Sequence, residues 1–449
     1  MTDLHLLDAT ALCAMLRARE ITSVELLTAF RQQVEIQEPQ INAFVTLDWA
    51  TAEARAAELD TMAARGEFAG ALHGLPIAIK DVFETKDLRT TWGSRSFADH
   101  TPDFDALHVA RLRAAGAVIF GKTNTPEFAF SGQTSNPVSG VTRNPHNTAL
   151  TVAGSSGGAA AALAAHMTPL ADGSDLGGSL RTPAAWCGVV GYRPSSGLVP
   201  YDPNPVPFDG LSVPGPMARN VTDLTLMLQV MAGNTPAQPL GFWEETPSTD
   251  TLDTPLPAGQ VAFSLTPFGT NPHPSVQAAI APARALCADL GWHVEEAAPD
   301  LAPLHDYAHL TRGLSALGVR AALNPDMTLA GESYKTACQS GEGLGLDEFV
   351  AYQALRAKVW ADTAAFFTRY DFAIWPTATG LPFSADLRDG EITEDWRTVT
   401  LTPIMELPSI SIPFGTTKDG MPAGLHITGP KGSDARLLRF ARMIERART

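Results

Sequence analysis

Short apolar runs alternate with longer amphipathic stretches over most of this chain. Residues 1–65 carry helical periodicity, and Thr22-Ser23-Val24-Glu25 has the serine/threonine-to-glutamate spacing that caps a helix start. Leu75 to Ile79 is an uninterrupted apolar run with the length of a buried strand, followed by a helix over Asp105 to Ala115 and a strand over Ala117 to Phe120. Ala159 to His166 is an alanine-rich helix entered from a glycine turn. The prolines at 200, 203, 205, 207, 214 and 216 predict a long loop over 200–216. Residues 234–258, rich in Pro, Thr and Glu, predict a surface excursion.

Beyond it the pattern resumes. A strand is predicted over Val261 to Ser264, a helix over Pro274 to Leu290, and a long helix over Asp347 to Tyr370 that feeds a buried strand at Phe372 to Trp375. Ser409 to Pro413 and Ala423 to Thr428, joined through Asp419-Gly420, predict a strand pair, and Asp434 a terminal helix cap. The alternation predicts an α/β fold: one large mixed β-sheet with helices on both faces. Residues 1–449 read as a single domain with a core over about 70–225.

Composition narrows the function classes. With 45% hydrophobic and 18% charged residues the chain has a globular balance, and its net charge of −16 disfavours direct nucleic-acid binding and anionic membranes. Cys13, Cys187, Cys287 and Cys338 are scattered without metal or redox spacing, so neither a disulfide framework nor a metal site is expected. No secretory leader or membrane-length apolar run is evident, which predicts a cytoplasmic location.

The chemistry concentrates in three segments. Gly74-Leu75-Pro76-Ile77-Ala78-Ile79-Lys80-Asp81 delivers a lysine at the end of an apolar strand, where desolvation lowers the proton affinity of an amine. Gly154-Ser155-Ser156-Gly157-Gly158 and Gly173-Ser174-Asp175-Leu176-Gly177-Gly178-Ser179 bring serines 24 positions apart, counted from Ser155 to Ser179. That gap accommodates a helix out and a strand back. A serine beside side-chain-poor backbone, with a desolvated amine as base, has the parts for acyl transfer without a histidine. A short helix starting just after Ser179 would favour developing negative charge.

These segments resemble the amidase signature family, densely over about 74–225. Gly121-Lys122-Thr123-Asn124-Thr125-Pro126-Glu127-Phe128-Ala129 is similar to a further family segment, and Leu211 to Arg219 and Gly424 to Pro430 to others. The resemblance implies Ser179 as nucleophile, Ser155 as relay and Lys80 as base, with the relay serine preceding a cis peptide bond. It implies an oxyanion hole from the backbone N–H groups of Leu176, Gly177 and Gly178, and Asp175 and Arg181 as supporting polar residues. It places Phe128, Ala129, Phe130, Gly132 and Gln133 near the substrate, a small-molecule amide. No cofactor is implied, and a homodimer is possible. Ala153, Ala159 and the stretch Pro403 to Pro408 depart from the family pattern, which bears on substrate identity.

Competing readings exist. The family includes the glutamine-hydrolysing amidase subunit of tRNA-dependent amidotransferases, which works with a partner. Gly116 to Thr123 fits the P-loop letter pattern, but its interior reads as strand where a flexible loop is required. Gly154 to Gly158 also fits a nucleophile elbow, which would make Ser156 the nucleophile and call on His426. His305 and His309 have the spacing of a helical metal pair, but they lack a third ligand and read as ordinary helix residues.

Overall fold

The computed structural model describes residues 3–236, 238–241 and 245–448. Of the excursion predicted over 234–258, residues 237 and 242–244 therefore lie outside the described residues. Eleven strands form one mixed sheet. In chain order they are β1 (Phe44–Leu47), β2 (Pro76–Lys80), β3 (Val118–Thr123), β4 (Leu170–Asp175), β5 (Val190–Arg193), β6 (Val213–Ala218), β7 (Gln260–Phe263), β8 (His293–Glu296), β9 (Phe372–Pro376), β10 (Ser409–Thr416) and β11 (Pro422–Thr428). Across the sheet the order is β1-β3-β2-β4-β6-β5-β10-β11-β9-β7-β8. The β3-β2-β4 and β9-β7-β8 neighbours run parallel and the other pairs antiparallel.

Both faces of the sheet are covered, and the strand period of two shows it. Along β2, Ile77 and Ile79 enter one apolar core while Ala78 enters another; along β3, Ile119 and its neighbours Val118 and Phe120 divide in the same way. One core contains Leu224, Met227, Leu437 and Ile444 from helices Val221–Met231 and Asp434–Arg448. The other contains the alanine-rich helix Gly157–Ala164. In the second half, Phe372 and Ile374 join the first core, whereas Ala373 and Trp375 face a third, under helix Leu346–Arg369. Such strands, buried on both sides, read as continuous apolar runs.

Several predicted elements differ from the structure. The N-terminal region is not wholly helical: Phe44–Leu47 pairs with β3 between helices Ser23–Ile41 and Trp49–Ala64. The Thr22 capping box is present, with Thr22 accepting from the Glu25 N–H at 3.1 Å and Glu25 accepting from the Thr22 N–H at 2.8 Å. The helix predicted over Pro274 to Leu290 is two helices, Pro274–Ile280 and Pro282–Asp289, because Pro282 removes a ladder donor. The loop predicted over 200–216 ends early, since Val213–Ala218 is a central strand. Pro214 and Pro216 alternate, so both missing donors fall on one edge of β6. The other edge pairs with β4 from Val213↔Asp175 to Ala218↔Leu170.

Candidate active site

Three chain segments converge at the ends of β2 and β4. Lys80 is the last residue of β2 and has no exposed surface. Its Nζ donates to Ser155 Oγ at 2.7 Å, Ser174 Oγ at 2.9 Å and Ser156 Oγ at 3.0 Å. Three neutral hydroxyls surround the amine, and no carboxylate forms an ion pair with it among the described residues. Burial therefore dominates and lowers the Lys80 pKa from its ordinary value to about 7, with Asp172 and Asp175 pulling the other way.

The second and third segments meet as the 24-residue spacing predicts. Helix Gly157–Ala164 leads out, β4 returns, and the Ser156 N–H donates to the Ser179 carbonyl at 3.1 Å. The Gly154–Ser155 peptide bond is cis, so the cis bond precedes Ser155 and does not follow it. Helix Arg181–Cys187 starts directly after Ser179, as expected.

Asp175, at the end of β4, organises the turn. Its carboxylate accepts from the N–H of Gly178 at 2.9 Å and of Leu180 at 3.1 Å. Arg181 grips it with Nε at 3.0 Å and Nη2 at 2.9 Å, while Arg193 donates to its carbonyl. Burial pushes the Asp175 pKa up, but Arg181, Arg193 and the Gly178 N–H together hold it well below the usual carboxylate range. Arg181 also donates to Thr402 Oγ1 at 2.9 Å and to the Val399 carbonyl at 2.7 Å. Asp175 and Arg181 thus form a buried scaffold pair. This geometry changes the expectation for Gly178, whose N–H is engaged by Asp175. The N–H groups of Leu176, Gly177 and Ser179 have no acceptor among the described residues.

Ser155, Ser174, Leu176, Gly177 and Ser179 open onto a cavity of about 810 Å³. Phe128, Ala129, Phe130 and Gly132 line it. Gln133 does not: it is 3% exposed and its Nε2 donates to the Ala385 carbonyl, so packing against that loop withdraws it from the wall. Sequence reasoning missed wall residues from distant segments, including Glu84, Tyr201, Arg312 and Trp396. His305 and His309 also reach this wall; they sit on a 3-10 turn and the following helix, with His309 Nε2 3.6 Å from Glu348. No cluster of three metal-ligating side chains occurs among the described residues.

The competing motifs dissolve in the geometry. Val118–Thr123 is a buried strand, so Gly116 to Thr123 forms no phosphate-cradling loop. Lys122 is buried at the strand end and donates to the Phe83 carbonyl and, at 2.7 Å, to Thr85 Oγ1. Ser156 is absent from the cavity wall. His426 stacks on Trp375 with ring centroids 4.6 Å apart, and neither ring nitrogen has a hydrogen-bond partner among the described residues. A Ser156–His426 pairing is therefore not formed.

This sheet, with helices on both faces and a lysine–serine cluster at its cavity, defines a mixed α/β fold. The family model for amidases matches residues 25–438. An acylamidase of Rhodococcus erythropolis is 33% identical, the alignment covering 99% of this chain and 96% of the relative. A glutamyl-tRNA(Gln) amidotransferase subunit of Koribacter versatilis (strain Ellin345) is 31% identical over 99% of both chains. A bacterial aryl acylamidase of the amidase signature family superposes with a TM-score of 0.91 at 27% identity, covering 99% of this chain and 97% of that one. The chain belongs to the amidase signature family. No described helix is long and apolar enough to cross a membrane.

Proposed function

We propose that the protein hydrolyses a carboxamide through an acyl-enzyme on Ser179, with Ser155 as proton relay and Lys80 as base. The observation that carries this reading is the 2.7 Å hydrogen bond from a fully buried Lys80 to Ser155, on a cavity that Ser179 shares. With a pKa of about 7, roughly half of Lys80 is neutral at pH 7. Neutral Lys80 takes the Ser155 proton as Ser155 takes the Ser179 proton, and Ser179 Oγ attacks the amide carbon. The free N–H groups of Leu176, Gly177 and Ser179 support the oxyanion, each such donor contributing about 3–4 kcal/mol in comparable sites. The proton returns through Ser155 to the departing nitrogen, which leaves as ammonia or an amine. Water then attacks the acyl-enzyme by the same relay, releasing the carboxylic acid and restoring Ser179. One sheet built from residues 44 to 428 supports a single catalytic domain.

A second reading follows from the likeness to the glutamyl-tRNA(Gln) amidotransferase protein: ammonia released from glutamine for a partner. Fluorophosphonate labelling with peptide mapping tests the first. Label on Ser179, lost in Ser179→Ala, is the expected result; label on another serine, or none, overturns it. Hydrolysis of glutamine only in the presence of a partner, with simple amides untouched, would favour the second.

A further inference from the structure

One cavity-wall carboxyl has no side-chain hydrogen-bond or ion-pair partner among the described residues. Glu84 lies in the loop after β2 and is 9% exposed, and its carbonyl is pinned by the Ala106 N–H at 2.8 Å. Its carboxyl accepts no hydrogen bond from another described residue and forms no ion pair, yet it is not among the buried polar atoms sealed from accessible space. Glu84 lines the 810 Å³ cavity together with Val82, Trp92 and Tyr201.

The other carboxylates and guanidinium groups of this wall are already matched. Arg397 grips Asp395, with Nη2 at 2.6 Å and Nε at 2.9 Å. Glu394 accepts from Thr379 Oγ1 at 2.6 Å and from the Gly380 N–H at 2.8 Å. Arg312 donates to the Phe130 carbonyl, and His309 faces Glu348. Lys122 is the cation near Glu84, but its hydrogen bonds go to Phe83 and Thr85, and Asp81 is its foremost charge partner. A carboxylate held at the edge of an aromatic-walled space without a partner has a large unmet affinity for a cation.

We propose that Glu84 forms a subsite for a protonated amine, so that the amides accepted in this cavity carry a cationic amine arm. The proposal rests on the amidase reading only in taking this cavity as the substrate site. Trp92 and Tyr201 line the same cavity, and an ammonium over an aromatic ring gains further attraction. Burial raises the Glu84 pKa, its own N–H and Lys122 lower it, and Asp202 raises it again. The preference for a cation accordingly weakens as pH falls and Glu84 takes up a proton.

Calorimetric titration of the full chain with n-alkylammonium chlorides from butyl to octyl, against the 1-alkanols of equal length, tests this. Binding of the best ammonium at least tenfold tighter than its alcohol is expected, with the advantage lost in Glu84→Gln. Equal binding of amine and alcohol, or an advantage that survives in Glu84→Gln, overturns the subsite. Should Glu84→Gln misfold on thermal unfolding, Glu84→Ala makes the same comparison. These titrations do not depend on turnover, so failure here is separable from failure to label Ser179.

Discussion

Asp172→Asn would move the acid limb of catalysis without moving atoms. Asp172 accepts the Lys80 backbone N–H on Oδ1 at 2.6 Å, and its Oδ2 lies 2.9 Å from His108 Nε2. Both side chains are fully buried, and Asp172 is the leading carboxylate that raises the proton affinity of Lys80. Asparagine can keep both contacts, its oxygen accepting from Lys80 and its amide donating to His108, while the negative charge disappears. That requires the other His108 tautomer, whose Nδ1 has no partner, at a stability cost of about 1–3 kcal/mol. A nearby opposite charge is worth about 1–3 pKa units, so the Lys80 pKa should drop from about 7 to about 4–6. The base must be neutral to act. At pH 6 about one-tenth of wild-type Lys80 is neutral, against about half or more in the variant. The assay is kcat/KM from pH 4.5 to 9 on one amide, with thermal unfolding as the fold control. The midpoint of the acid limb should move down by about one unit or more, while the plateau falls several-fold because a weaker base drives the transfer. A limb that stays in place while the whole profile sinks would refute the electrostatic argument and leave Asp172 a packing residue.

Other consequences follow from the same geometry. Lys80→Met should abolish turnover yet leave the melting temperature at pH 7 unchanged or slightly raised: keeping a lysine with a pKa of about 7 costs about 4 kcal/mol relative to an unfolded lysine, against three hydroxyl contacts of about 1 kcal/mol each. In the wild type the native state binds fewer protons than the unfolded chain between pH 7 and 10, so this group makes stability rise with pH across that window. Asp175→Asn should cost about 3–5 kcal/mol on denaturant unfolding by stranding Arg181 and Arg193. The depressed Asp175 pKa contributes stability that is in place above about pH 4 and is lost as pH falls below it, measurable as a wild-type acid transition that the variant lacks. Gly178→Ala should cripple labelling of Ser179, because φ is +103° and a Cβ would stand 2.4 Å from the Val399 side chain.

Elements whose burial is written in side-chain type were legible from the sequence. Leu75 to Ile79, Ala117 to Phe120 and Phe372 to Trp375 are apolar throughout and overlap the strands Pro76–Lys80, Val118–Thr123 and Phe372–Pro376. The spacing of Ser155 and Ser179, with room for a helix and a returning strand, was enough to predict their convergence. Strands buried for another reason were not legible. β4 reads Leu-Ala-Asp-Gly-Ser-Asp, and its polar side chains are buried because Lys80, His108 and Arg181 satisfy them from three other elements. β6 carries two prolines that signal a loop until the register with β4 places both on one edge. A local contact settles which donors remain free on the Ser179 turn, since Asp175 takes the Gly178 N–H three residues on, whereas long-range packing settles which wall residues face the cavity. Gln133 turns away to Ala385, while Glu84 and Tyr201 arrive from loops that no local pattern connects. A motif names the groups that are available. Their burial and their partners, which set charge and reactivity, depend on chain segments far away in sequence.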